Sequence, residues 1–181
     1  MEDKKSIRSE VRRRIKLMSE DDKQTAARAI FEAVEATAEF NDAECVALFA
    51  AMWDEVPTNE ALERWRILGK RVVVPRVEGD IMRYYPYSPD QMREGAFGIM
   101  EPVGDVEVEP SAIDLMIVPA RAFTPRGERL GRGGGFYDNG NTAGAVAFVV
   151  TERVPCHEVR HSLRLSDIRH APHRSPRHRR R

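Results

Sequence analysis

Cys45-Val46-Ala47-Leu48-Phe49-Ala50, then Thr58 to Leu68, then Arg71-Val72-Val73-Val74 carry the reading on which the fold turns. The first run is short and almost wholly apolar, the mark of a strand buried on both faces. The second has helical spacing and stops at Gly69; the third is β-branched and stops at Pro75. Strand, helix, strand in this order is a βαβ unit, which needs a parallel pair joined by a crossover. Toward the N-terminus, Ile7, Val11 and Ile15 recur every fourth residue among Lys and Arg, giving an amphipathic helix with a basic outer face. Ser19 and Asp22 form a cap for a second helix, whose apolar face is Ala26, Ile30, Phe31, Val34 and Ala38. Toward the C-terminus, Gly79-Asp80 turns the chain into a hairpin or edge strand at Ile81 to Tyr85, and residues 86 to 112 read as a long loop. Asp114 to Val118 and Gly144 to Val150 are further dense apolar runs. The fold class expected is α/β: a three-layer, Rossmann-like single domain with a mostly parallel sheet of four or five strands flanked by helices.

Composition sets the limits. The 181 residues are 41% hydrophobic and 32% charged, with zero formal net charge, which excludes disorder throughout. No apolar run reaches the roughly 18 residues of a membrane span. Met-Glu-Asp-Lys-Lys at the start is no secretory signal, so a cytoplasmic location is expected. Cys45 and Cys156 are too few for a disulfide framework, and Cys45 reads as a small core residue. The zero charge conceals an asymmetry: residues 1 to 150 hold 20 Lys and Arg against 26 acids, while 151 to 181 hold 9 Arg, 3 acids and all five His. Residues 1–156 are therefore expected to form the domain and 157–181 an atypical Arg/His-rich segment, disordered from about 171 because it has no apolar surface to bury. Nucleic acid is not an expected partner, since the body is acidic and the tail lacks aromatic residues for base stacking.

Chemistry concentrates in Arg129-Leu130-Gly131-Arg132-Gly133-Gly134-Gly135-Phe136-Tyr137-Asp138. Such a glycine run lets backbone amides turn toward a phosphate, two arginines neutralise it, and the aspartate can hold a magnesium ion. It is not a Walker A loop, for no Gly-Lys-Ser/Thr follows, nor a dinucleotide fingerprint, for Phe136 stands where the third Gly belongs.

With Asp114 to Pro119, Ala122-Phe123 and Gly127 before it, this stretch resembles the C-terminal signature of the 5-formyltetrahydrofolate cyclo-ligase family. Lys4-x-x-Ile7-Arg8, Phe49-x-x-Met52-x-x-Glu55-Val56 with Thr58, Gly69-Lys70, Val74-Pro75-Arg76 and Phe97-Gly98-Ile99-x-Glu101-Pro102 resemble the family's other motifs, in order, over about residues 4 to 156. The resemblance implies an ATP- and Mg2+-dependent closure of 5-formyltetrahydrofolate to 5,10-methenyltetrahydrofolate, with ADP and phosphate released. It assigns ATP to Lys4, Arg8, Arg129, Gly131, Arg132, Gly133, Gly134, Gly135, Phe136 and Tyr137, and magnesium to Asp138. It assigns the folate to Met52, Glu55 and Tyr137, with Arg129 and Tyr137 in catalytic positions, and a monomer is expected. The alternative is a relative that binds folate or nucleotide without turnover.

Several positions depart from the family's pattern. Asn139 to Ala143 are all that separate Asp138 from the next apolar run, so the helix expected behind the glycine loop is missing or a turn. Thr124 stands where Asp is usual, and Arg121 enters the turn Pro119-Ala120-Arg121-Ala122-Phe123. After Val154-Pro155, His157-Glu158 replaces a His-Asp pair, leaving Glu158 or Asp167 as substitute acids.

Overall fold

The computed structural model describes residues 3–95, 98–123 and 129–137 with their side chains, and the backbone of 146–150 and 163–164. Three helices come first: α1 (Lys4–Ile15), α2 (Glu20–Glu35) and the short α3 (Ala38–Asp42). The βαβ unit follows as β1 (Cys45–Ala47), α4 (Asn59–Ile67) and β2 (Arg71–Glu78), and β3 (Ile81–Pro86) returns antiparallel beside β2. After a small ribbon of β4 (Met92–Glu94) and β5 (Met100–Pro102), the chain re-enters the sheet as β6 (Leu115–Pro119). It then forms a second ribbon, β7 (Ala122–Phe123) with β8 (Arg129–Leu130), and ends in β9 (Val146–Val150) and β10 (Leu163–Arg164).

The main sheet has six strands in the order β10-β9-β6-β1-β2-β3, with parallel pairing from β9 through β2 and antiparallel strands at both edges. Strand alternation sorts the core onto two faces. Val46, Leu48, Val72, Val74, Leu115 and Ile117 pack with Ala27, Ile30, Phe31 and Val34 of α2 and Ala61, Leu62 and Trp65 of α4. Cys45, Ala47, Val73, Met116 and Val118 face the opposite way, against Tyr84, Val108 and Ile113. Trp65 anchors the helical side, fully buried, with Phe31 edge-on at 5.6 Å and Phe40 at 4.9 Å, while its indole N–H donates to Glu35.

Several boundaries differ from the sequence reading for identifiable reasons. Strand β2 runs through Pro75 instead of stopping there. Arg71 N–H and Val73 C=O both bond toward β1, so position 75 faces the same side, beyond the end of β1, where no ladder bond needs its N–H. The buried stripe of α2 contains Ala27 rather than Ala26, and Ala38 is exposed because it opens α3. The sheet gains strands at its edges, including β10 inside the Arg/His-rich segment, and residues 86 to 112 contain the β4–β5 ribbon rather than loop alone. Cys45 is buried as expected. Phe97, Thr124, Asp138, residues 139–143, Cys156, His157, Glu158, Asp167 and the segment from 171 lie outside the described residues.

The Ser19 cap is present in full: its hydroxyl accepts from Asp22 N–H at 3.1 Å and the Asp22 carboxylate accepts from Ser19 N–H. Ser19→Ala is expected to lower stability by about 1 kcal/mol, which denaturant titration would read.

Candidate active site

Topology locates the site before any side chain is considered. From β1 the chain crosses to β2 on one side, while β6 lies on the other, so the connections diverge between β1 and β6. In open α/β sheets ligands bind in the crevice beyond the carboxyl ends of strands at such a divergence. Two segments emerge there: residues 48–58 after β1, and the turn after β6 that leads to β7, β8 and the glycine loop.

The first segment is tied down locally. Glu55 N–H donates to the Met52 carbonyl at 3.0 Å, and Met52 N–H donates to Glu55 Oε2 at 3.0 Å. Thr58, buried at the mouth of α4, accepts from Ala51 N–H. These bonds fix the turn, in which Met52 and Glu55 are half-buried and Asp54 is buried. Trp53 is left exposed, with Arg12 and Lys16 about 6 Å from its ring centroid.

The second segment meets it through arginines. Arg132 donates from Nε to Glu55 Oε1 at 2.7 Å and pairs through Nη2 with Asp54 Oδ1. Arg121 donates to the Asp54 carboxylate and carbonyl at 2.5 and 2.6 Å, and Arg12 of α1 lies 3.6 Å from the same carboxylate. Arg8, one turn earlier on α1, donates to the Gly131 carbonyl at 2.9 Å and backs Gly133. Lys4 is one further turn away on that helix, exposed. Gly133 and Gly135 have φ of +113° and +72°, a region that side chains with a Cβ avoid. Arg129 packs its guanidinium against Gly131, donates to the Pro119 carbonyl and lies 5.7 Å from the Tyr137 ring centroid. Phe136 covers Gly134, and Tyr137 packs on the Met116 face of the core.

The structure thus brings Arg8, Arg129, Arg132, Gly131 to Gly135, Tyr137, Met52 and Glu55 to one edge of the sheet. Sequence reasoning missed Asp54, Arg12 and Trp53 as parts of this cluster and saw Arg121 only as an oddity in its turn. The one available signal for Asp54 was its place beside Glu55. Among the described residues no group of three His, Cys, Asp or Glu could hold a metal ion.

Electrostatics follow burial. Desolvation pushes the Glu55 carboxyl above the usual glutamate range, opposed by the Met52 N–H and Arg121. Burial also raises Tyr137 well above an ordinary phenol, with Tyr84 and Glu55 adding to the effect and Arg129 opposing it. Near neutral pH Tyr137 is therefore a neutral hydroxyl, able to donate a hydrogen bond.

The fold is an open α/β sheet, and at this edge Arg132 of the glycine loop joins the 52–55 turn through Asp54 and Glu55. Residues 1–155 match the model of the 5-formyltetrahydrofolate cyclo-ligase family, and the chain belongs to that family. It is 33% identical over 108 residues to the 5-formyltetrahydrofolate cyclo-ligase of Haemophilus influenzae, covering 55% of this chain and 57% of that protein. It is 40% identical over 105 residues to the enzyme of the same name from Escherichia coli K12, covering 53% and 56%. The aligned part thus spans little more than half of these relatives. The NMR structure of Aquifex aeolicus 5,10-methenyltetrahydrofolate synthetase superposes with a TM-score of 0.75 at 28% identity, over 97% of this chain and 99% of that one. No helix among the described residues is long and apolar enough to cross a membrane.

Proposed function

We propose that the chain closes 5-formyltetrahydrofolate to 5,10-methenyltetrahydrofolate at the expense of ATP, releasing ADP and phosphate. The observation that carries this reading is the Arg132–Glu55 ion pair, which joins the glycine loop to the substrate-side turn at the sheet's divergence point. A reaction between a polyphosphate and a second molecule needs both held edge to edge, and alignment supplies much of the rate.

In this proposal the formyl oxygen attacks the γ-phosphorus; the new O–P bond forms as the bond to the β–γ bridging oxygen breaks and ADP departs. N10 then attacks the activated formyl carbon, the C–O bond breaks, phosphate leaves, and the N10 proton passes to solvent. Arg8 and Arg129, with the amides of Gly131 to Gly135, bind and orient the phosphates, and Lys4 reaches them from the start of α1. Phe136 screens the loop. Arg132 exchanges its acidic partners for phosphate oxygens, which frees Glu55 to accept from the polar ring edge of the folate beside Met52. Tyr137 donates to the oxygen being activated. Asp138 has the carboxylate chemistry magnesium prefers, and the ion, when bound, would neutralise charge on the phosphate oxygens.

Two measurements test this reading. A magnesium–ATP analogue and 5-formyltetrahydrofolate should each raise the melting temperature, and Asp138→Ala should abolish the first shift while keeping the second. Loss of neither or of both would contradict the assignment. The second follows from Glu55. Its raised pKa means that the proton is retained at pH values where free glutamate, near about 4.3, is ionised. The carboxylate needed for the folate thus forms only as pH rises past that range. The acid limb of kcat/KM for 5-formyltetrahydrofolate should lie above the ordinary glutamate value and should vanish in Glu55→Gln.

A further inference from the structure

Asp54 is an acid with no exposed side-chain surface, placed under the turn that presents Met52 and Glu55. Arg121, itself nearly buried, reaches it from the end of the neighbouring strand. One nitrogen of the guanidinium takes the Asp54 carbonyl at 2.6 Å and another takes the carboxylate at 2.5 Å, so Arg121 fixes both the peptide plane and the side-chain rotamer of one residue. The opposite carboxylate oxygen faces Arg132, whose Nε holds Glu55. The chain of contacts therefore runs from the β6 turn through Asp54 to the glycine loop and back to Glu55.

Stability alone does not account for such a pair. Removing two charges from water costs several kcal/mol each, and well-packed apolar replacements are often neutral or better. What a buried bidentate pair does supply is a fixed distance and angle between the elements that carry it. Here those elements are the two strands that bracket the crevice, and the residues adjoining Asp54 are Trp53, which is exposed, and Glu55, which faces the site.

We propose that Asp54 and Arg121 are positioning residues for the reaction: together they lock the 52–55 turn against the end of β6, so that Glu55 and Arg132 meet the two substrates in register. This rests on the cyclo-ligase reading above. Neither residue touches a reacting atom, and each acts through Glu55 and Arg132.

The test compares wild type, Arg121→Leu, Arg121→Lys and the double variant Asp54→Asn with Arg121→Leu, each measured for melting temperature, kcat and both KM values. Arg121→Leu takes away the most deeply buried cation at Asp54, leaving it Arg132 and the more exposed Arg12, so it should lose melting temperature and raise KM for 5-formyltetrahydrofolate on the order of tenfold or more. Arg121→Lys should recover part of both losses. The double variant removes both charges of the Asp54–Arg121 pair together and should regain melting temperature relative to Arg121→Leu without regaining KM. If KM recovers along with the melting temperature, or if Arg121→Leu has the wild-type KM, the pair is merely structural and the proposal is wrong. Should wild type show no turnover at all, the functional reading fails. The lock is then judged by amide hydrogen exchange in the ligand-free protein: faster exchange at residues 52–56 in the double variant, at wild-type melting temperature, supports it, and unchanged exchange overturns it.

Discussion

Glu55→Gln is expected to raise KM for 5-formyltetrahydrofolate on the order of tenfold or more while leaving KM for ATP within about twofold. The substitution keeps shape and one acceptor oxygen for the Met52 N–H, so the 52–55 turn should survive. It removes the negative charge, and a hydrogen bond to a charged group contributes about 1.5–3 kcal/mol against about 1 for a neutral one. The charge is held in a desolvated position, so its removal relieves burial and should not lower the melting temperature. Arg132, losing one acidic partner, keeps Asp54 and remains available to phosphates. Equal loss of affinity for both ligands would place Glu55 outside a folate-specific role.

Arg8→Ala should act on the other ligand, raising KM for ATP roughly ten- to a hundredfold through the lost charge-assisted contacts. Arg8 has two tasks in the structure. Its Nε fastens α1 to the glycine loop through the Gly131 carbonyl, and its terminal nitrogen lies behind Gly133, where the loop turns at positive φ. Lysine preserves charge but cannot serve carbonyl and phosphate from separate nitrogens of one planar group. Arg8→Lys is therefore expected to recover only part of the loss. The folate KM should move little, because no contact joins Arg8 to the 52–55 turn. Steady-state kinetics at saturating folate reads the difference, and an unchanged ATP KM would remove α1 from the nucleotide side.

How far these features could be read from sequence depends on whether their cause is local. The βαβ unit is legible because Cys45 to Ala47 are buried on both faces and Gly69 ends α4, patterns that need no knowledge of partners. The Ser19–Asp22 cap is legible for the same reason. Pro75 misleads because a proline stops a strand only where its N–H would be used, and that depends on where the neighbouring strand ends. The β4–β5 ribbon carries charged residues without alternation, and what holds it is distant in sequence: Met92 packs on the core and Arg76 of β2 donates to the Pro102 carbonyl. In the site, the glycine loop and its arginines announce themselves by composition. Asp54 does not: an acid beside Glu55 in a turn is read as solvated, and its buried partner Arg121 lies sixty-seven positions away. Arg132 is legible as a cation beside glycines, whereas its engagement by Asp54 and Glu55 is a property of the fold.

One measurement decides whether this chain closes the ring: the purified chain incubated with 5-formyltetrahydrofolate and magnesium–ATP, with the methenyl product followed by its absorbance and ADP quantified in the same samples. Equal molar amounts of 5,10-methenyltetrahydrofolate and ADP, formed only when protein, folate and nucleotide are all present, are the predicted result. Binding of both ligands with no methenyl product, or ADP formed without it, would contradict the claim that this edge of the sheet performs the ring closure.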